Sequence, residues 1–300
     1  MRPEGLTTKV FLDGCDPEET EEILKILGFL DGQTTNPTLL SRNPIIKKKI
    51  EDGKKFTRKG LLWQYQDNVR KISGLIPDGS VSVEVYADRH TSSRLMIDQA
   101  VEMHYWIENA HIKFPTTTAG LEAAVEATKL KMNVNMTLCF DQSQGVGVHA
   151  ATRSVNNNHG LYTFSTSVYI SPFVGRLDDK GYRGMDLVQN LRRMYNEINS
   201  HVKVLGASIR SVKDLKMALK AADIVTAPFS VLKEWGEAGM PLTVEKDERN
   251  LKPIPYIEIE AREFNNLFYP FGYPLIGKGL QAFADDWNKL LIDFERYDRR

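Results

Sequence analysis

HIKFPTTTAGLEAAVEATKLKMNVNMTLCF, residues 111–140, reads as strand, helix, strand. HIKF (111–114) is a short run with the look of a buried strand, ended by Pro115 and three threonines. AGLEAAVEATKLK brings its apolar residues back at three- and four-residue intervals, the period of one helix face. VNMTLCF (134–140) is again short and mostly apolar. Within the first strand stands Lys113, a residue type that is almost never fully buried without a partner.

The same alternation runs outward in both directions. KVFLD (9–13), GQTTN (32–36) and SVSVEV (80–85) precede this stretch as strand candidates; TSVYIS (166–171), VKVLGAS (202–208) and DIVTA (223–227) follow it. Helical patterns such as DPEETEEILKILGFL and SVKDLKMALKAA lie between them, and Asp16 before Pro17 reads as an N-cap with proline in the first helical position. Eight strand candidates alternating with helices predict an α/β fold, a single-domain (β/α)8 TIM barrel over residues 1–300. Residues 241–300 form a C-terminal extension packing on the barrel and ending in a helix, GLQAFADDWNKLLIDF. A doubly wound open sheet is the alternative, but no GxGxxG follows the first strand.

Lys+Arg and Asp+Glu both number 39 in the 300 residues, so the net charge is zero and a generic nucleic-acid binder is not expected. The basic run KKKIEDGKKFTRKG (47–60) is read as a solvated helix face. There is no apolar leader and no stretch of membrane-spanning length. Cys15 and Cys139 stand far apart, and the six histidines show no ligand spacing. A reduced cytoplasmic protein without a bound metal is the expectation.

In a barrel of this type the catalytic groups sit at the C-terminal ends of the strands. Those ends carry Asp13, Thr34 and Asn36, Glu84, Lys113, Asn135 and Thr137, Ser171 and Arg176, and Ser208 and Arg210. Any one of them could simply cap a strand; together they make a chemical kit. Desolvation in a barrel mouth favours the neutral amine of a lysine, which can attack a carbonyl and form a Schiff base. The protonated imine then draws electrons from the adjacent carbon, so a C–C bond can break in the retro-aldol direction. Asp13 and Glu84 are the carboxylates available for proton transfer, and two arginines with a serine suit a phosphate.

The chain resembles the transaldolase family, which includes transaldolase and fructose-6-phosphate aldolase, Schiff-base lysine enzymes of the (β/α)8 type. FLDG (11–14), GQTTNPTLL (32–40), VSVEVYAD (81–88), IKFPTTTAGL (112–121) and NVNMTLCFDQSQ (133–144) carry the resemblance. YISPFVGRLDDKG (169–181), VLGASIRS (204–211) and ADIVTAP (222–228) complete it, all in family order. It implies that Lys113 forms the Schiff base and that Asp13 is the acid/base at the cleaved bond. Glu84 and Thr137 would hold a catalytic water. Thr34, Asn36, Asn135 and Ser171 would line the sugar site, and Arg176, Ser208 and Arg210 the phosphate site. Phe173 matches a position where transaldolases usually have phenylalanine and the aldolases tyrosine; Glu84 stands where the aldolases tend to have glutamine. The implied reaction is reversible transfer of a dihydroxyacetone unit between sugar phosphates in the pentose phosphate pathway, by a homo-oligomer needing no cofactor. An aldolase, an enzyme for a sulfonated sugar and a non-enzymatic binding protein are the other readings.

The chain departs from the family in three places. The segment GVGVHAATRSVNNNHGLYTF (145–164) is long and is expected as an extended helix and surface loop, with a functional lid as the alternative. The stretch 241–276 is also long, and an oligomer interface is one reading of it. His111 occupies a commonly aliphatic position and, two residues before Lys113, points to the same side. It reads either as a hydrogen-bonded core histidine or as a charge that tunes the lysine.

Overall fold

The computed structural model describes residues 1–156, 166–265 and 274–292. Eight parallel strands close into a barrel in chain order. They are β1 (Lys9–Asp13), β2 (Gly32–Thr34), β3 (Ser80–Glu84), β4 (Ala110–Pro115), β5 (Asn133–Cys139), β6 (Val168–Pro172), β7 (Val202–Gly206) and β8 (Ile224–Pro228). Closure comes from β8 against β1, with Val10 opposite Val225 and Asp13 opposite Pro228. The strands read from sequence are all present. The second is shorter than GQTTN because Thr35 and Asn36 leave the ladder: the Thr35 hydroxyl donates to the Ser82 carbonyl at 2.7 Å, and the Asn36 side chain caps the next helix.

The outer helices are α1 (Pro17–Leu27), α2 (Pro37–Arg42), α3 (Pro44–Glu51), α4 (Arg58–Leu75), α5 (Ser93–His104) and α6 (Thr118–Lys129). They continue with α7 (Gln142–Asn156), α8 (Val174–Asp178), α9 (Gly184–Glu197), α10 (Val212–Ala221), α11 (Phe229–Glu237) and α12 (Pro274–Asn288). Asp16 caps α1 by accepting from the Glu18 N–H at 3.0 Å, and Gly28 ends it in the left-handed region at φ 74°. In the basic run Lys47 and Lys48 are exposed, the solvated face read from the sequence, while Ile46 just before it is buried. The long segment after β5 contributes the expected extended helix, α7; residues 157–165, on which the rest of the loop or lid reading falls, lie outside the described residues.

The barrel interior is built in layers below the mouth. Phe11, His111 and Tyr169 share one layer, His111 stacked on Tyr169 with ring centroids 4.4 Å apart and Phe11 edge-on to Tyr169 at 6.2 Å. Gly32 makes room for it: a Cβ there would stand 2.7 Å from the Phe11 ring. Parallel register then sets the next layer up, with Glu84 opposite Lys113 and Lys113 opposite Asn135.

The chain after α11 runs as an irregular strap. Lys252 exchanges backbone hydrogen bonds with Gly181 and Arg183 at 2.8 Å each, and Gln142 is bonded through its side chain to Ile257. Helix α12 then crosses back to α2, where the Thr38 hydroxyl donates to Asp286. Trp287 packs edge-on to Tyr65, with centroids 6.4 Å apart.

Candidate active site

Lys113 lies at the centre of the mouth, only 4% exposed, as is Glu84 beside it. Its ammonium donates to the Thr35 carbonyl at 3.1 Å and stands 2.9 Å from Glu84 Oε2. The ammonium has donors enough for both, and Lys113 is the charged partner of Glu84 Oε2. Tyr65 braces both partners from behind: its hydroxyl oxygen lies 2.5 Å from Thr35 Oγ1 and accepts from the Glu84 N–H at 2.9 Å. Burial pushes the Glu84 carboxyl up from its ordinary range, a rise that the charges of Lys113 and Arg176 reduce.

Asp13, across the mouth on β1, is also pushed up by burial and drawn back by Lys113, by the Thr34 hydrogen bond and by Arg42. Thr34 donates to Asp13 Oδ1 at 2.7 Å, and its oxygen lies 2.7 Å from Thr226 Oγ1 on β8. Two carboxyls with raised proton affinity, Glu84 buried and Asp13 partly so, thus flank one buried amine, an arrangement suited to proton transfer.

These groups open into a cavity of about 290 Å³. Asp13, Thr34, Asn36, Lys113 and Thr137 line its floor, and Ser171, Phe173, Arg176, Ser208 and Arg210 its far side. Asn36 accepts from the Leu39 N–H at 2.8 Å as a helix cap, which leaves its amide NH2 for a ligand. Thr137 Oγ1 is buried without a hydrogen-bond partner among the described residues. The bulge in β5 next to it, with Leu138 at φ 60°, turns the chain at that point.

Two of the residues read from sequence as site residues do not line the cavity. Glu84 stands behind Lys113, and Asn135 is fully buried, accepting from Ser171 at 2.7 Å and donating to Ser82 at 3.0 Å. Asn135 therefore orients Ser171 in this structure. Conversely, Thr38, Arg42, Thr226 and Phe283 line the cavity although no strand-end rule selects them. Thr226 could have been found in DIVTA by strand alternation. Arg42 and Thr38 sit on α2, and Phe283 arrives on α12 from the far end of the chain.

The anionic end of a ligand would meet Arg176 and Arg210. Arg176 lies between two rings, 5.1 Å from the Phe173 centroid and 5.3 Å from that of Phe283. Burial lowers its proton affinity, against the pull of Glu84. Arg210 is held by Asp179 through both terminal nitrogens, at 2.5 and 2.7 Å. Ser208 between them adopts φ 60°, a strained backbone for a serine. Gly175 has no side chain for a plain reason: a Cβ would lie 2.5 Å from Arg210 Nε.

His111 is a core histidine. Its Nδ1 shares a hydrogen bond with Ser80 Oγ at 2.8 Å, and burial pushes its pKa down to about 3. It is neutral at working pH, so the alternative in which its charge tunes Lys113 is not supported.

Known proteins point in the same direction. Residues 10–294 fit the family model described as Transaldolase/Fructose-6-phosphate aldolase. The chain belongs to this family. A probable transaldolase of Dehalococcoides mccartyi is 34% identical over 227 residues, 75% of this chain and 89% of that one. A probable transaldolase of Brucella ovis is 34% identical over 282 residues, covering 94% and 97% of the two chains. One from Bartonella henselae is 29% identical over a span of the same length, 282 residues. Membership of the transaldolase/fructose-6-phosphate aldolase family makes this an enzyme of the transaldolase type and agrees with the closed barrel.

Proposed function

We propose that this family member is a transaldolase that moves a dihydroxyacetone unit from a ketose phosphate, such as fructose 6-phosphate or sedoheptulose 7-phosphate, to an aldose phosphate. The observation that carries the reading is the buried Lys113–Glu84 pair, 2.9 Å apart, with Lys113 facing the cavity that Asp13 also lines and Glu84 behind it.

Glu84, with its raised proton affinity, takes a proton from Lys113 and frees the amine. The amine attacks C2 of the ketose, and a water held between Glu84 and the Thr137 hydroxyl carries protons while the carbinolamine loses its oxygen as water. The product is a protonated imine. Asp13 then removes the proton from the C4 hydroxyl, the C3–C4 bond breaks, and its electron pair enters the imine to give an enamine. The aldose leaves with its phosphate; an acceptor aldose takes its place and the steps reverse. The imine is the electron sink, so no organic cofactor or metal is required.

Arg176, Ser208 and Arg210 hold the phosphate, while Asn36 and Ser171, the latter oriented by Asn135, take hydroxyls of the sugar. Phe173 supports transfer over simple aldol cleavage, since it brings no hydroxyl to position water for release of free dihydroxyacetone. On this reading the protein works in the pentose phosphate pathway, in the cytoplasm.

Borohydride reduction in the presence of fructose 6-phosphate should fix a dihydroxyacetone-derived adduct on Lys113, read by peptide mass; absence of the adduct removes the Schiff-base mechanism. A coupled assay with and without erythrose 4-phosphate separates transfer from aldolase activity. Sulfonated ketoses in the same panel test a different anion.

A further inference from the structure

The anion end of the cavity is carried on two arms. One is α8, which bears Arg176 and ends at Asp178; the other is the turn from β7 into α10, which bears Ser208 and Arg210 and continues to Asp214. On the inner side the arms are zipped by backbone, Val174 N–H to the Ala207 carbonyl and Gly175 N–H to the Ser208 carbonyl, both at 3.0 Å. On the outer side Asp178 and Asp214 face each other, two carboxylates that repel.

Between them sits Arg249, from the strap that follows α11. Its Nη1 donates to Asp178 Oδ2 at 2.9 Å, and its Nη2 stands 2.9 Å from Asp214 Oδ1. Each carboxylate is fixed at its other oxygen by its own arm: the Gly184 N–H donates to Asp178 at 2.8 Å, and the Ser211 hydroxyl to Asp214 at 2.8 Å. Asp247 holds the guanidinium in plane, accepting from Nε and Nη2 at 2.9 Å each, and lies 3.4 Å from Lys213. We infer that Arg249 is a positioning residue that clamps the two arms and so sets the spacing between Arg176 and the Ser208–Arg210 pair that receives the substrate's anionic group. A planar fork can span two carboxylates at once; a lysine ammonium on the same stem cannot match both geometries. Removing the fork leaves two like charges facing across the seam and frees the arms to separate.

The inference rests on the transaldolase reading for the identity of the phosphate ligand, and two readouts keep the two apart. In R249M, KM for fructose 6-phosphate should rise about tenfold, within what positioning groups contribute, while kcat stays within about twofold. Borohydride trapping of free dihydroxyacetone on Lys113 should be unchanged, because that ligand has no anionic group to misplace. R249K should fall between R249M and the parent, and carries the test if R249M does not fold. An unaltered KM overturns the inference; so does equal weakening of phosphorylated and unphosphorylated ligands, which marks a general structural role. Binding of inorganic phosphate by calorimetry gives the second readout: equal affinity in parent and variant overturns the clamp whatever the turnover. Failure of the parent itself to trap dihydroxyacetone rejects the Schiff-base reading and leaves the phosphate measurement to judge Arg249.

Discussion

The Lys113–Glu84 pair is the most exacting place to test the energetics of this site. Two unit charges 2.9 Å apart attract by about 6 kcal/mol at an effective dielectric of about 20. Burial of both groups to 4% exposure offsets much of that gain, since each charge has left water. Removing one partner is another matter. Glu84→Gln keeps the shape but leaves the ammonium with the Thr35 carbonyl alone, and breaking a buried pair in this way costs about 3–5 kcal/mol. Lys113→Met strands the carboxylate and should cost a similar amount. The double variant buries no net charge and should regain most of the loss. Urea unfolding of the four proteins at pH 7 gives the cycle directly, with an expected coupling energy of at least about 2 kcal/mol. Additive single effects, or a Glu84→Gln cost below about 1 kcal/mol, would show that the two groups are not an ionised pair in the folded protein. Turnover of Glu84→Gln should also drop by about 10²–10⁴-fold, because the amide cannot accept the amine's proton.

Other outcomes follow from the same geometry. Asp13→Asn should lower kcat by about 10²–10⁴-fold yet still allow dihydroxyacetone to be trapped on Lys113, because the carboxyl is needed at the C–C bond; loss of trapping would move Asp13 to imine formation. Asp179→Ala should lower KM for a phosphorylated donor by about two- to fivefold, since the half-exposed Asp179 occupies the Arg210 fork that a phosphate needs. A raised KM would mean that Asp179 orients Arg210 instead of competing for it. Gly279→Val should raise that KM, because a Cβ there lies 2.6 Å from Arg176 Nη1; unchanged kinetics would show that α12 yields. For His111, the folded pKa of about 3 lies below the unfolded value of 6.5, so the unfolded chain binds the proton first as pH falls. Its contribution is complete above the unfolded pKa and is lost between pH 6.5 and about 3, with a slope of about 1.4 kcal/mol per pH unit. His111→Leu should flatten the stability profile in that window and leave the limbs of the activity profile superimposable; a shifted acid limb would restore a catalytic role.

The strands were legible because most are short apolar runs with a polar residue at or near the C-terminal end, and the barrel places those ends on one rim. Lys113, Asp13 and the anion-binding side chains could be read for that reason. Glu84 and Asn135 look equivalent to them in sequence; only register and depth show that they stand behind the cavity wall. Phe283 was not legible at all, since an apolar residue on an amphipathic helix reads as core, and nothing local says that the helix returns to α2. Arg249 sits in a charged stretch that reads as solvated, and its worth depends on two aspartates brought together by folding. The lowered proton affinity of His111 likewise comes from burial inside the closed barrel, which no local signal in the sequence gives.

Helix α12 also sets a timetable. The cavity lacks a wall until Phe283 has been made, and the barrel cannot close before β8 reaches β1. At a synthesis rate of about 5–20 residues per second, Phe283 emerges roughly 10–35 s after Lys113. Until β8 meets β1 the lysine has neither the barrel around it nor Asp13 and Glu84 held in place, and until Phe283 arrives the cavity lacks that wall. A complete substrate cavity is therefore a property of the nearly finished chain, because its walls come from both ends of the sequence, Asp13 and Phe283.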